Sequence, residues 1–202
     1  MAGKRVVTFV LILLLVPGVS WSIPSATRFF DFRSGRQTAG IFTSFSDDVN
    51  FFFGQVRIKP TPSFEVGLKG GAADVEGGGG STTGAYIGVD AAVDVGDLEW
   101  SLPGDIYLLG GFSSVLKSRR ALNEVFIGGT ALFDISSSDL LTIRGALGGE
   151  VSLSGGSLVD DDDTDLYATA GLTFDIGEGA NFFIQVKAGT EVSGGIGINF
   201  EF

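Results

Sequence analysis

Residues 195–202 read GIGINFEF, and this stretch decides the fold. Its four large apolar residues alternate with small or polar ones. On a helix they would be spread around the axis, whereas on a strand they share one face. The stretch therefore predicts an amphipathic β-strand whose apolar face carries Ile196, Ile198, Phe200 and Phe202.

The same period of two recurs through most of residues 38–202, which is typical of strands with two unlike faces. About ten such segments are present, each near the roughly 9–11 residues that a membrane-spanning strand needs. Eight strands is the alternative, because segments 39–45 and 106–116 alternate less clearly. The clearest apolar faces are Val56 and Ile58; Phe64, Val66 and Leu68; Ala85, Ile87, Val89, Ala91 and Val93; Val125, Ile127 and Ile135; Leu141, Ile143 and Val151; Leu166 and Leu172; and Ile184 and Val186.

The composition also favours β-structure. Glycine is poor in helix interiors, at a cost of about 1 kcal/mol relative to alanine, and the chain holds 32 glycines. Hydrophobic residues make up 44% of the sequence and the mean hydropathy is +0.35, yet no apolar run reaches the roughly 18 residues of a spanning helix. Such a chain is either a soluble all-β protein or a membrane barrel.

The N-terminus predicts export. Lys4 and Arg5 precede an apolar core over 6–16, Pro17 follows, and Ser20 and Ser22 place small residues before a cut at Ile23. Positive charge, apolar core and small residues in this order are typical of a signal peptide. We therefore expect a signal peptide over 1–22, with a retained membrane anchor as the alternative, then an N-terminal segment over 23–37 and a barrel over 38–202.

Two observations favour lipid, rather than water, on the apolar face. The polar face mixes few charges of both signs with many small residues, which suits a crowded barrel interior better than an ordinary soluble surface. Aromatic residues also fall near predicted strand ends, as in the interfacial girdles of membrane proteins. One girdle would hold Phe64, Tyr107, Phe133, Phe174, Phe182, Phe200 and Phe202; the other would hold Phe45, Phe51, Phe52, Phe53, Tyr86, Phe126 and Tyr167.

The ending GIGINFEF resembles the C-terminal assembly signal of bacterial outer-membrane β-barrels, and the whole chain resembles small barrels of the OmpA/OmpX type. The resemblance implies a closed antiparallel transmembrane β-barrel in the cell outer membrane. It implies that Ile198, Phe200 and Phe202 are read by the outer-membrane assembly machinery. Lipid and lipopolysaccharide would be the surroundings.

Short periplasmic turns and longer outer loops are expected of such a barrel. We place periplasmic turns at 60–62, 96–104, 136–139 and 177–181. We place outer connections at 46–50, 75–83, 117–123, 154–164 and 190–193.

Catalytic and cofactor chemistry find little support. The chain has no His and no Cys, so the imidazole of a Ser–His or Asp–His arrangement is missing, and no cofactor or enzymatic activity is expected. A net charge of −11 argues against nucleic acid as a partner, because phosphate binding needs clustered cations.

One dense acidic run is a weak metal candidate, because loop carboxylates bind Ca²⁺ or share divalent cations with lipopolysaccharide phosphates. The run consists of Asp160, Asp161, Asp162, Asp163 and Asp165. Its spacing is not that of an EF-hand, and charge runs are usually solvated.

Three functions remain open. The first is a structural or interaction barrel with a largely plugged interior. The second is a narrow channel, or a passage for small apolar molecules, since rings larger than about eight strands leave more space inside. The third is a soluble, secreted, lipocalin-like calyx.

Overall fold

The computed structural model describes residues 37–46, 49–77, 80–96, 104–138, 141–158, 163–177 and 179–202. The predicted signal peptide over 1–22 and nearly all of segment 23–37 lie outside these residues. Across the described ranges, no helix is long and apolar enough to cross a membrane.

Ten strands in the described residues form one closed antiparallel barrel, in which each strand pairs with its neighbours in sequence and β1 pairs with β10. Ten strands were predicted, and the alternative of eight is wrong. The strands are β1 (Thr38–Phe45), β2 (Val49–Thr61), β3 (Phe64–Gly77), β4 (Gly80–Asp94), β5 (Asp105–Lys117), β6 (Arg120–Ser137), β7 (Thr142–Gly156), β8 (Asp163–Asp175), β9 (Ala180–Ala188) and β10 (Val192–Glu201).

The seam between β1 and β10 closes the ring. The two strands pair without a register shift from Thr38 opposite Glu201 to Phe45 opposite Gly194, and the Phe202 N–H donates to the Gln37 carbonyl at 2.9 Å. Closure leaves no free strand edge, which a sheet inside hydrocarbon requires. The seam needs glycine at Gly197, because the Phe42 ring occupies the space that a Cβ there would take.

Strand length varies around the ring and exceeds the expectation of 9–11 residues on one side. β6 has 18 residues and β4 has 15, whereas β1 has 8 and β9 has 9. The wall is therefore taller on the side of the long strands. The predicted outer loop at 75–83 is wrong, because β3 and β4 stay paired up to Gly77 opposite Gly80.

The outer connection predicted at 117–123 is also shorter than expected. Lys117 and Arg120 pair directly, so the turn itself is Ser118 and Arg119. The misjudgement has a physical reason: beyond the membrane both faces of a strand meet water, so the apolar alternation stops before the pairing does.

The two faces of the wall differ as predicted. Leu68, Val89 and Ile127 point outward and are exposed, while Lys69 and Asp90, next to them in sequence, point inward and are buried. An apolar outside around a charged inside is the reverse of a soluble calyx. In water, this outer face would expose many apolar side chains, at a large cost in free energy. The calyx alternative is therefore wrong.

The proposed aromatic girdles are only partly correct. Phe45, Phe52, Phe64, Phe200 and Phe202 are outward and exposed. The other members of the girdle predicted to hold Phe45 and Phe52 were wrongly assigned, and so was Tyr107 of the girdle predicted to hold Phe64. The side chains of these residues are buried in the interior. They are Phe51, Phe53, Tyr86, Tyr107, Phe126 and Tyr167. Three consecutive phenylalanines at 51–53 must divide between the two faces of a strand.

Candidate functional site in the barrel interior

A network of buried charges crosses three neighbouring strands. Arg57 on β2 forms an ion pair with Glu65 on β3 and a second with Asp90 on β4, at 2.8 Å between Nη1 and Oδ1. Lys69 on β3 also reaches Asp90, at 2.7 Å between Nζ and Oδ2. Burial of charge is tolerated when each group is paired at close range, so Asp90 is the centre of the network.

A glycine creates the space in which this network forms. Gly67 on β3 lies opposite both Arg57 and Asp90 in the sheet register. A Cβ at this position would come within 2.5 Å of Arg57 Nη1 and 2.7 Å of Asp90 Oδ1. The missing side chain therefore lets residues on β2 and β4 meet across the strand between them.

A second buried ion pair lies on the opposite wall. Lys187 on β9 pairs with Glu150 on β7, and its Nζ lies 3.8 Å from the ring centroid of Tyr167 on β8. A cation over an aromatic face gains about 2 kcal/mol when both are desolvated. The three side chains tie three strands together from inside the barrel.

A third pairing lies at the rim where β6 and β8 end and β7 begins. Arg144 on β7 approaches Asp134 at 3.6 Å and Asp175 at 3.7 Å. All three side chains retain contact with water. Exposed pairs of this kind contribute little to stability.

Aromatic rings fill much of the interior between the two buried charge clusters. Phe42 stacks on Phe53 at 5.5 Å between centroids, and Tyr86 packs edge-on against Phe53 at 5.4 Å and Phe51 at 5.0 Å. Phe183 adds a ring from β9, 6.1 Å from Phe42. This layer was not predicted, because the pattern along single strands placed some of its members in a girdle and left the others unassigned.

A small cavity remains beside these groups in the described part of the barrel. It measures about 40 Å³ and is bordered by Thr130, Thr169, Thr173 and Gln185, among others. A water molecule needs roughly 10–15 Å³ on this measure. The cavity thus has room for a few waters.

The predicted acidic run lies only partly within the described residues. Asp160, Asp161 and Asp162 lie outside the described residues. Asp163 is exposed at the start of β8, whereas Asp165 is buried and accepts a hydrogen bond from Thr190 Oγ1 at 2.8 Å. In the part of the chain that the structure describes, no group of three or more acidic residues is arranged to hold a metal ion.

The three residues of the predicted assembly signal share the outward face of β10. Phe200 and Phe202 are exposed, with 50% and 66% of their surface accessible, and Ile198 is partly exposed. They present an apolar stripe at the closing seam of the barrel.

The fold and this interior define a class of protein. A closed antiparallel barrel with an apolar exterior and paired charges inside satisfies every requirement for crossing a bilayer with strands. The chain folds as a closed transmembrane β-barrel.

No family model and no curated protein matches this chain. Among solved structures, the KdgM porin in complex with disordered oligogalacturonate has 10% sequence identity and a TM-score of 0.45, over 82% of this chain and 99% of its own. The β domain of the Bordetella autotransporter BrkA has 11% identity and a TM-score of 0.48, over 83% and 99%. The N-terminal β-barrel domain of Pseudomonas aeruginosa OprF has 16% identity and a TM-score of 0.38, over 82% and 96%.

Proposed function

We propose that this protein is a non-enzymatic outer-membrane barrel with a structural or interaction role and a largely plugged interior. The observation that carries the proposal is the packing of aromatic rings and paired charges in the described interior, beside a cavity of about 40 Å³. With a filled interior, the surfaces open to partners are the outward face and the rims.

The arrangement of the interior carboxylates supports a non-enzymatic role. Glu65 and Asp90 are the two buried acids of the first network, and each forms an ion pair with Arg57. Glu150 is held by Lys187. Carboxylates fixed in ion pairs stabilise the wall, and a general acid or base would instead need a free path to substrate.

Conductance tests the plug. In a planar bilayer we expect the wild-type barrel to show no steady ion current, because packed aromatic rings and paired charges leave no continuous water path. Replacing Phe42 and Phe53 together by Ala removes two stacked rings and should produce open events. The matched control is Phe52→Ala, which removes an outward ring from β2, the strand that also carries Phe53. This variant should stay closed.

A steady wild-type current would contradict the plugged interior and favour the narrow-channel function instead. Silence of the Phe42→Ala/Phe53→Ala variant, with its fold verified by circular dichroism, would show that the aromatic layer is not what blocks the path.

We also propose that the outer-membrane assembly machinery recognises β10. An apolar strand that ends in an aromatic residue suits β-augmentation, in which a partner strand pairs with the main chain and pockets bind alternate side chains. The exposed stripe of Ile198, Phe200 and Phe202 supports this proposal, because it remains accessible on the outward face until the barrel enters lipid.

Phe202→Ser separates recognition from anchoring. We expect this change to lower the amount assembled in cells by about tenfold while leaving refolding in detergent nearly intact, because an exposed terminal ring packs against little in the barrel. Immunodetection of surface protein and a refolding assay measure the two effects. Normal surface levels would contradict the signal, and equal losses in both settings would indicate an anchor.

A further inference from the structure

Positive and negative charges do not balance in the described interior of the barrel. Five carboxylates are buried there, against three cations. The carboxylates are Glu65, Asp90, Glu124, Glu150 and Asp165, and the cations are Arg57, Lys69 and Lys187. A buried carboxylate is costly unless it is paired with a cation or coordinates a metal ion. A bound cation would therefore reduce the excess of negative charge in this part of the chain.

Asp165 on β8 is a buried carboxylate whose charge is not matched by any described cation. Its side chain is 2% exposed, and its Oδ1 accepts a hydrogen bond from Thr190 Oγ1 at 2.8 Å. Its Oδ2 is buried and has no hydrogen-bond partner among the described residues. The ion pairs between described residues do not include Asp165. One carboxylate oxygen is thus available for a ligand.

A hydroxyl on the neighbouring strand lies beside this oxygen. Ser152 on β7 is directly opposite Asp165 in the sheet register, and both side chains point inward and are buried. The Cβ atoms of two such residues are about 5 Å apart, close enough for the hydroxyl and the carboxylate to contact one atom together. Ser152 Oγ, like Asp165 Oδ2, has no hydrogen-bond partner in the described part of the chain. The two oxygens can therefore share a ligand.

The turn between β9 and β10 brings more oxygen atoms to the same place. The Gly189 N–H donates to the Glu191 carbonyl at 2.9 Å, which closes the turn. A Cβ at Gly189 would collide with the Leu166 carbonyl oxygen, so glycine allows the turn to pack directly against β8. Thr190 consequently reaches Asp165, and Glu191 adds a second carboxylate one residue further along the turn.

We propose that Asp165, Ser152 and Glu191 bind a calcium ion inside this rim of the barrel. Calcium takes about six to eight oxygen ligands in flexible geometry, and carboxylates, hydroxyls and water all serve. Magnesium demands a near-ideal octahedron, which ligands from two strands and a turn do not impose. Two carboxylates match the charge of the ion. The site uses only two acids, in agreement with the absence of a three-acid metal cluster from the described residues.

The ion would link β7, β8 and the β9–β10 turn from inside the barrel. These segments lie where the wall becomes lower, since β7 has 15 residues and β9 has 9. A ligand that binds only the folded state stabilises it in proportion to its concentration and affinity, so the stability of the barrel should respond to calcium. The inference rests on the closed fold and not on a blocked lumen, so the conductance result leaves it unaffected.

Titration with calcium alone tests the site. The mature protein is refolded in zwitterionic detergent, freed of metal with a chelator, and titrated by calorimetry. We expect D165N to bind at least about tenfold more weakly than wild type, since calcium affinity depends on the number of charged ligands. S152A removes one neutral ligand and should weaken binding by about threefold. The matched control D160N/D161N/D162N removes three acids from the neighbouring connection and should stay within about twofold of wild type.

Urea unfolding gives a second readout. Calcium should raise the unfolding midpoint of wild type and should not raise that of D165N. Absence of calcium binding by wild type would overturn the proposal. So would binding that D160N/D161N/D162N abolishes and D165N retains, because the ion would then lie on the acidic connection. If circular dichroism shows that D165N does not fold, S152A decides, and an affinity equal to that of wild type would contradict the site.

Discussion

Asp90→Asn should destabilise the barrel by about 3–5 kcal/mol, which is the usual cost of removing one partner from a buried ion pair. Asp90 is the acid that Arg57 and Lys69 share, at 2.8 and 2.7 Å. Without its charge, Arg57 would keep its ion pair with Glu65, and both Arg57 and Lys69 would lose a close carboxylate. The free energy of unfolding, from urea titration in phosphatidylcholine vesicles, measures the effect.

Asp175→Asn is the matched control, because it makes the same chemical change at a rim pair. Asp175 lies 3.7 Å from Arg144 and is exposed to water, so a loss below about 1 kcal/mol is expected. Lys69→Met in the Asp90→Asn background should restore part of the stability, since it removes a buried cation whose ion pair with Asp90 has been lost. Equal losses for the two aspartates would show that the interior network is not desolvated.

Val89→Arg should hinder folding into vesicles and cost about 2–4 kcal/mol, the penalty for a cation facing lipid at mid-depth. Val89 is the middle one of the five outward apolar residues of β4, and 43% of its surface is accessible. Its direct neighbours across the sheet are Leu68 on β3 and Phe112 on β5, and neither can form an ion pair with a guanidinium. The folded fraction in phosphatidylcholine vesicles gives the measurement.

Thr83→Arg tests the same strand and the same face at a different height. Thr83 is exposed near the outer end of β4, and its hydroxyl donates to Asp74 Oδ1 at 3.4 Å. An arginine there would lie beside a carboxylate and above the apolar band, so a cost below about 1 kcal/mol is expected. A loss of stability in Thr83→Arg as large as that in Val89→Arg would show that the cost of arginine does not depend on its depth in the membrane.

Sequence was a good guide wherever one face met lipid. The alternation in β4 and β10 assigned Val89, Ile198 and Phe200 to the outward face, and the structure places them there. The reason is physical. A polar residue on the face that meets lipid costs free energy, so the alternation is strict over the whole membrane-spanning part of the strand.

The interior was much less predictable, because its contacts depend on register between strands. Arg57 and Asp90 are 33 positions apart in the sequence, and they meet because Gly67 lies between them without a side chain. The rings of Phe42 and Phe53 likewise meet through the pairing of β1 with β2. No single-strand pattern carries such information.

Accessibility of single cysteines tests the central claim, that the apolar outer face lies in lipid, most directly. The natural chain has no cysteine, so Val89→Cys and Thr83→Cys each provide one label site on the outer face of β4. A fluorophore attached to Val89→Cys before refolding should be quenched in vesicles of lipids brominated on their acyl chains. Unlabelled Val89→Cys, refolded into vesicles, should resist a water-soluble maleimide. Thr83→Cys should react readily. Rapid reaction of Val89→Cys with the water-soluble reagent would contradict the claim.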